Sequence, residues 1–106
     1  AAVAAKATAV VCHNDMLAIG VLRRLAGRGV AVPDDVCVVG FDNIFGSDLC
    51  SPTLTTLAER TEDAGARAIQ VLGQLAYQRI AEPPATVLPT ELVVRSSTGP
   101  ARQASQ

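Results

Sequence analysis

The chain has 106 residues, 49% of them hydrophobic, which is the size of one small domain with enough apolar side chains for a core. Its net charge is −1 and only 3% of its residues are aromatic, so it offers neither a basic phosphate-binding stripe nor a base-stacking surface. With three cysteines in no CxxC pair and one histidine, it cannot assemble a zinc site of the usual spacing, and we expect no metal and no cofactor.

The first half of the chain predicts one βαβ unit. Residues 8–13 predict a strand, and residues 36–40 predict a second one whose continuous apolar character is typical of strands buried on both faces. Apolar side chains between them recur at helical spacing from residue 15 to about residue 28, at Leu17, Val21, Leu22 and Leu25. Asn14 or Asp15 is the expected N-cap and Gly29 the expected C-terminal cap.

Polar residues follow both predicted strands, as His-Asn-Asp at 13–15 and as Phe-Asp-Asn at 41–43. Parallel strands joined by a right-handed crossover end at the same edge of a sheet, so these two triplets are expected side by side. Their carboxylates and amides suit a neutral polyhydroxy or heterocyclic ligand. Asp42 is the strongest ligand candidate because neither a helix cap nor a local ion pair explains it, the alternative being a turn residue.

The first triplet allows structural interpretations as well. Asp15 is explained most simply as a helix N-cap, and Asn14 shares that possibility. His13 fits either a core or interface histidine or a ligand contact. Cys12 and Cys37 fall inside apolar runs, where cysteine usually acts as a small hydrophobe in a reducing compartment.

The second half continues the alternation of strands and helices. Residues 54–57 predict a short strand or a crossing segment. A helix begins at about Thr61, Pro83 and Pro84 interrupt it, and residues 90–98 predict the last strand. The helix has an apolar stripe suited to packing on a sheet, formed by Ala64, Ala68, Ile69, Leu72, Leu75 and Ala76. Residues 100–106 are small and polar, and a disordered tail is expected there.

Four segments resemble, in order and spacing, the C-terminal third of the ligand-sensing domain of lactose/galactose-repressor family transcription regulators. They are "TAVVCHNDMLAIGVLRRLAGRGVAVPDDVCVVGFDN", "SPTLTTL", "AGARAIQVL" and "LPTELVVRSST". The resemblance implies an α/β fold, a parallel sheet of βαβ units forming part of a periplasmic-binding-protein-like fold. Residues 1–99 would then be an incomplete effector-binding and dimerisation domain, and a separate helix-turn-helix domain would bind operator DNA.

The resemblance also implies roles for individual residues. Asn14 and Asp42 match effector-binding positions of the family, Asp15 matches a neighbouring residue that orients them, and Phe41 matches an aromatic position beside the ligand. Asn43 departs from the pattern, since a second Asp is frequent there. Dimer contacts are implied for Leu17, Val21, Asp48, Leu49 and Cys50.

The expected function is therefore the effector-sensing and dimerisation part of a bacterial transcriptional regulator that responds to a sugar- or nucleoside-like molecule. A solute-binding protein for sugar transport is the alternative. An enzyme using Asp42 or Asp15 with His13 is disfavoured, because the chain has no Gly-rich phosphate loop, no GxSxG motif and no metal-ligand pair. Without a run of about 20 apolar residues we expect no membrane contact and a cytoplasmic location.

Overall fold

The computed structural model describes residues 6–78, 82 and 85–102. Pro83 and Pro84, and residues 103–106 of the expected disordered tail, lie outside the described residues. The elements, in chain order, are β1 (Ala9–Val11), α1 (Asp15–Gly27), β2 (Cys37–Asp42), a 3-10 helix (Phe45–Asp48), β3 (Thr55–Ala58), α2 (Thr61–Tyr77) and β4 (Glu91–Val93). They form two compact units, of which one contains the sheet with α1 and the other comprises residues 59–90 with α2.

The first unit is built on a sheet of strand order β1-β2-β3-β4. The pairs β1–β2 and β2–β3 are parallel, with Val11 opposite Val39 and Phe41 opposite Leu57. The last pair, β3–β4, is antiparallel. The predicted α/β class and the βαβ unit are confirmed, and the sheet is mixed rather than entirely parallel.

Helix α1 begins and ends where its sequence indicates. Asn14 is the N-cap, and its side chain accepts a hydrogen bond from the Leu17 amide. At the other end Gly29 adopts a φ of 70°, its N–H donates to Ala26 O at 3.1 Å, and the Val30 N–H donates to Leu25 O at 3.0 Å. This is a Schellman motif, which needs a left-handed residue and therefore favours glycine.

The core lies between α1 and one face of the sheet. It is formed by the buried side chains of Ala18, Leu22, Leu25, Val36, Val38 and Leu54. Leu22 and Leu25 belong to the predicted apolar stripe and point inward, whereas Leu17 lies on the outer side of the helix and is exposed. Fewer apolar side chains of α1 face the core than the sequence pattern suggested, and the outward-facing ones, such as Leu17, are left for other contacts.

The second face of the sheet is largely uncovered. Side chains of β2 alternate between buried ones facing α1 and half-buried ones on the other side, among them Val39 and Phe41. On β1, Val11 is 76% exposed. Burial on both faces, expected for β2 from its continuous apolar run, is therefore wrong, because within the described residues of this unit a helix packs on one side only.

The segment after β4 lies between β2 and the start of β3 and does not continue as a regular strand. Ser97 is fully buried between β2 and the start of β3. The Val38 N–H donates to Ser97 O at 2.9 Å, and the Ser97 N–H donates to Thr53 O at 2.9 Å. The Ser97 hydroxyl donates to Val38 O at 2.6 Å and accepts from the Thr55 N–H at 2.8 Å. The predicted strand 90–98 is wrong beyond Val93, since hydroxyl hydrogen bonds replace the regular ladder.

The second unit contains α2, of which no residue is buried. Ile69, in the predicted apolar stripe, is 70% exposed, and Leu72 is exposed as well. The stripe thus lacks cover in the described residues. From such a face we expect either self-association or a rearranged packing, and this stays a prediction. Across the part of the chain described, no helix combines the length and the apolar character needed to span a membrane.

Gly40 offers a direct test of the packing between α1 and β2. A Cβ at this position would collide with Oδ1 of Asp15 and would lie 3.0 Å from Cδ2 of Leu54. We predict that Gly40→Ala lowers the free energy of unfolding by about 2–4 kcal/mol through overpacking and the displaced carboxylate. Gly27→Ala is the matched control, because a Cβ there meets nothing within 4 Å. Urea denaturation of both variants checks the prediction, and equal stabilities would contradict it.

Candidate functional site

A buried carboxylate organises the carboxyl edge of the sheet. Asp15, the first residue of α1, is fully buried. Its Oδ1 accepts a hydrogen bond from the Thr56 hydroxyl at 2.6 Å, and its Oδ2 accepts one from the Ile44 N–H at 2.9 Å. The interpretation of Asp15 as the N-cap is wrong, because its side chain points into the sheet and links the start of α1 to β3 and to the loop after β2.

Asn14 is the actual cap, and it faces the same edge. Its Oδ1 accepts from the Leu17 N–H at 2.9 Å, with the extended backbone (φ −153°, ψ 173°) usual for a cap. The side chain is half-buried. Capping occupies the oxygen, and within the described residues no hydrogen bond uses the amide NH2, which leaves that group for a ligand hydroxyl or ring nitrogen.

The chain leaves β2 through two residues with unusual backbone angles. Asp42 has a φ of 107° and Asn43 a φ of 57°, in the region that L-residues other than Asn and Asp rarely adopt. Such conformations cost on the order of 1–3 kcal/mol each and persist only where neighbours hold them. Here the Asn43 N–H donates to the Thr56 hydroxyl at 3.4 Å, and the next amide, of Ile44, donates to Asp15.

This turn presents the Asp42 carboxylate at the surface. The residue is exposed, and no other group in the described part of the chain forms a hydrogen bond with its side chain. Val11 and Val39 pair directly across the two strands. Asn14 lies three residues after Val11, and Asp42 lies three residues after Val39. The two predicted triplets therefore do meet at one edge, and the carboxylate is available for a ligand.

Arg95 holds residues at this edge of the sheet and was not predicted from the sequence. It follows β4, and its Nη2 donates to Oδ1 of Asn43 at 2.8 Å. Its Nη1 donates to the Ser47 hydroxyl and to Leu54 O, both at 2.9 Å. The only signal in the sequence is a charged residue between the apolar "LVV" and the hydroxyl-rich "SST".

The other predicted residues of this edge differ in their surroundings. Phe41 is half-buried on the face of the sheet that points away from α1, and it pairs with Leu57 of β3 in the register. His13 is exposed, so its interpretation as a core residue is wrong. Burial raises the pKa of the Cys12 thiol, which keeps it protonated at neutral pH and a weak nucleophile. Cys37 is half-buried rather than fully buried.

An exposed apolar surface lies beside this edge, where the 3-10 helix meets α1. A Cβ at Gly46 would be in contact with Cδ1 of Ile19, 3.5 Å away, which shows how closely the two helices approach. The side chains that face outward there, named here the α1 apolar surface, are Met16, Leu17, Phe45 and Leu49. Phe45 is 85% exposed.

Of the predicted dimer residues, Leu17 and Leu49 belong to this surface and Asp48 is exposed beside Leu49. Val21 and Cys50 are half-buried and pack against the core. The exposed Met16 and Phe45 were not predicted from the sequence, although the apolar side chain directly after the polar triplet 13–15 was a usable signal for Met16.

Comparison with known proteins agrees with this architecture. The family model described as a periplasmic binding protein-like domain matches residues 1–98. The chain belongs to this family. Its sequence is 37% identical over 90 residues to the HTH-type transcriptional repressor PurR of Pasteurella multocida, covering 85% of this chain and 27% of that protein. It is 38% identical over 93 residues to the HTH-type transcriptional regulator DegA of Bacillus subtilis, covering 88% of this chain and 28% of that protein.

Solved structures extend the likeness within the periplasmic binding protein-like family. The CelR–cellobiose complex superposes with a TM-score of 0.82 at 33% identity, covering 89% of this chain and 29% of that one. The lac repressor dimer bound to operator and the anti-inducer ONPF superposes with a TM-score of 0.79 at 32% identity, covering 86% and 32%. The chain thus spans less than a third of each of these proteins and corresponds to a fragment of their ligand-binding domain.

The capping role of Asn14 can be separated from any role in ligand binding. Asn14→Ala removes the acceptor for the Leu17 N–H, and we predict a loss of about 1 kcal/mol in the free energy of unfolding. Asn14→Ser retains a capping oxygen and is expected to stay within about 0.3 kcal/mol of the wild type. Chemical denaturation measures both, and an equal loss in the two variants would contradict the assignment of the cap.

Proposed function

We propose that this chain is the effector-sensing part of a transcriptional regulator of the LacI type, and that its effector is a sugar- or nucleoside-like molecule. The related proteins are regulators, not enzymes or transport proteins, which supports sensing over catalysis and over solute transport. The related regulator CelR was solved in complex with cellobiose, a ligand with many hydroxyl groups. In this proposal operator DNA is bound by a helix-turn-helix domain outside these 106 residues, and the regulator acts in the cytoplasm.

The exposed carboxylate of Asp42 is the observation that carries the proposal. A carboxylate that is not paired with a protein donor accepts hydrogen bonds from ligand hydroxyl or N–H groups, and these charge-assisted bonds are the stronger kind. The neighbouring Asn14 supplies amide donors. Together the two side chains match the alternating acceptors and donors of a sugar ring or a purine edge.

Two further residues have supporting roles in the proposed site. Asp15 is buried and does not reach a ligand, but its hydrogen bond to the Ile44 N–H holds the loop that presents Asp42. Phe41 lies one residue before Asp42 and is half-buried, so its ring is available to pack against the apolar face of a ligand. In this proposal the effector binds two arrangements of the regulator with unequal affinity. It thereby shifts the equilibrium between the arrangement that binds the operator and the one that does not.

The α1 apolar surface is the proposed dimer contact, together with Val21, Asp48 and Cys50 beside it. Four large apolar side chains exposed together are unusual on a surface that meets only water. The lac repressor, whose structure superposes on this chain, was solved as a dimer, and this supports the same assembly here.

Substitution of Asp42 tests the ligand site. We predict that Asp42→Asn in the full-length protein weakens effector binding about 10- to 100-fold, because an amide replaces a charged acceptor. The probes are cellobiose, lactose, glucose, adenosine and cytidine, measured by isothermal titration calorimetry. Asp34→Asn, at an exposed aspartate before β2, makes the same chemical change away from the site and serves as the control.

Wild-type affinity in Asp42→Asn for a probe that binds the parent protein would contradict the role of this carboxylate. Equal losses in both aspartate variants would contradict it as well, since the effect would then come from net charge.

Substitution of Leu49 tests the dimer surface. We predict that Leu49→Glu weakens dimerisation of the full-length protein about a hundredfold or more, because it places an unpaired charge in a dry contact. Val94→Glu is a matched control, since Val94 is 68% exposed and Leu49 is 67% exposed. Sedimentation velocity over a concentration series measures both, and a dimer unaffected by Leu49→Glu would contradict the assignment.

A further inference from the structure

We infer that Arg95 is a positioning residue for the proposed effector site: its guanidinium holds the Asp42–Asn43 turn in the conformation that presents the Asp42 carboxylate. This inference rests on the proposed function for its meaning in ligand binding. The geometry of the turn itself does not depend on that function.

The backbone of the turn requires an external restraint. Positive φ angles at two consecutive non-glycine residues, Asp42 and Asn43, are a strained backbone conformation that neighbouring groups must hold in place. Within the turn the Asn43 N–H has a hydrogen bond of 3.4 Å, which is long, and the shorter one, from the Ile44 N–H to Asp15, restrains the backbone only after the turn. The side chain of Asn43 is exposed to solvent and needs a partner to stay fixed.

Arg95 provides the nearer of two partners through a rigid group; the other, the Ser47 hydroxyl, lies 3.2 Å from the same Asn43 oxygen and is itself held by Arg95. Its Nη2 donates to Asn43 Oδ1 at 2.8 Å, while its Nη1 donates to Leu54 O and to the Ser47 hydroxyl, both at 2.9 Å. The planar guanidinium fixes these acceptors relative to one another, which an ammonium group does not do.

The arginine is itself anchored. The Arg95 N–H donates to the Thr55 hydroxyl at 2.9 Å, and two residues later the buried Ser97 fixes the same segment between β2 and β3. The Ser47 hydroxyl donates to Ile44 O at 2.7 Å and so belongs to the same loop. The segment after β4, which is remote in sequence, therefore holds the ligand-presenting turn through the single side chain of Arg95.

Amide hydrogen exchange of the ligand-free, full-length protein is the deciding measurement. We expect Arg95→Gln to speed exchange in residues 42–48 about tenfold and to leave residues 16–27 of α1 within about twofold. Arg95→Lys is expected to give exchange rates in residues 42–48 between those of the wild type and those of Arg95→Gln, since it keeps the charge without the planar fork. Arg102→Gln, which removes an exposed 3.0 Å ion pair with Asp35, is the matched control and should match the wild type.

A second variant keeps the inference testable if Arg95→Gln folds poorly. Asn43→Ala removes the acceptor of the Arg95 hydrogen bond and is expected to speed exchange in 42–48 at least as much as Arg95→Gln, because alanine also adopts the positive φ of this position poorly. The double variant should speed exchange by less than the product of the two single effects, because both substitutions remove the same Arg95–Asn43 hydrogen bond. Faster exchange throughout the unit, unchanged exchange in 42–48, or fully additive effects would each overturn the positioning role.

Ligand binding separates this inference from the proposed function. With cellobiose, lactose, glucose, adenosine and cytidine as probes, Arg95→Gln should weaken about tenfold any binding that Asp42→Asn also weakens. Loss in Asp42→Asn with wild-type affinity in Arg95→Gln overturns the role of Arg95 in the site. If Asp42→Asn binds as the parent does, the proposed ligand role of Asp42 fails, and hydrogen exchange alone decides whether Arg95 holds the turn.

Discussion

The carboxylate of Asp15 is the constraint on which this unit depends. A charged group without solvent exposure is stable only when each oxygen has a donor, and here the Thr56 hydroxyl and the Ile44 N–H supply them. The position in the first turn of α1 adds a favourable interaction with the helix dipole. Because Gly40 has no Cβ, β2 can pass close enough for this arrangement. Helix start, two strands and the following loop are thereby fixed to one another.

The proposed ligand-facing edge consequently consists of an exposed part and a supporting part behind it, which have different roles. Asn14 and Asp42 present polar groups outward, while Asp15, Thr56 and Arg95 hold the backbone behind them. The supporting part comes from α1, β3 and the segment after β4, which are distant in sequence. Preorganisation of this kind reduces the ordering cost of binding a small polar ligand.

Much of this arrangement was predictable, and the exceptions share a physical cause. Apolar periodicity located α1, β2 and β3 within one or two residues, and the parallel crossover placed Asn14 and Asp42 at one edge, because both signals are local. The burial of Asp15 and the reach of Arg95 depend on partners about 40 residues or more away, Thr56 and Asn43. No spacing rule encodes those pairings. Uncovered strand faces escaped prediction because apolar composition does not state what covers them.

The left-handed backbone at Asn43 has a consequence for how this position can vary. At a φ of 57°, only Gly, Asn and Asp avoid a substantial steric penalty, so backbone geometry limits the choice before ligand chemistry enters. Among these three, Gly would free the turn but forfeit the oxygen that Arg95 holds. The Asn of this chain and the Asp that the resemblance leads us to expect here would meet the same steric requirement, and either side chain offers Arg95 an oxygen, so neither residue by itself marks a contact with the effector.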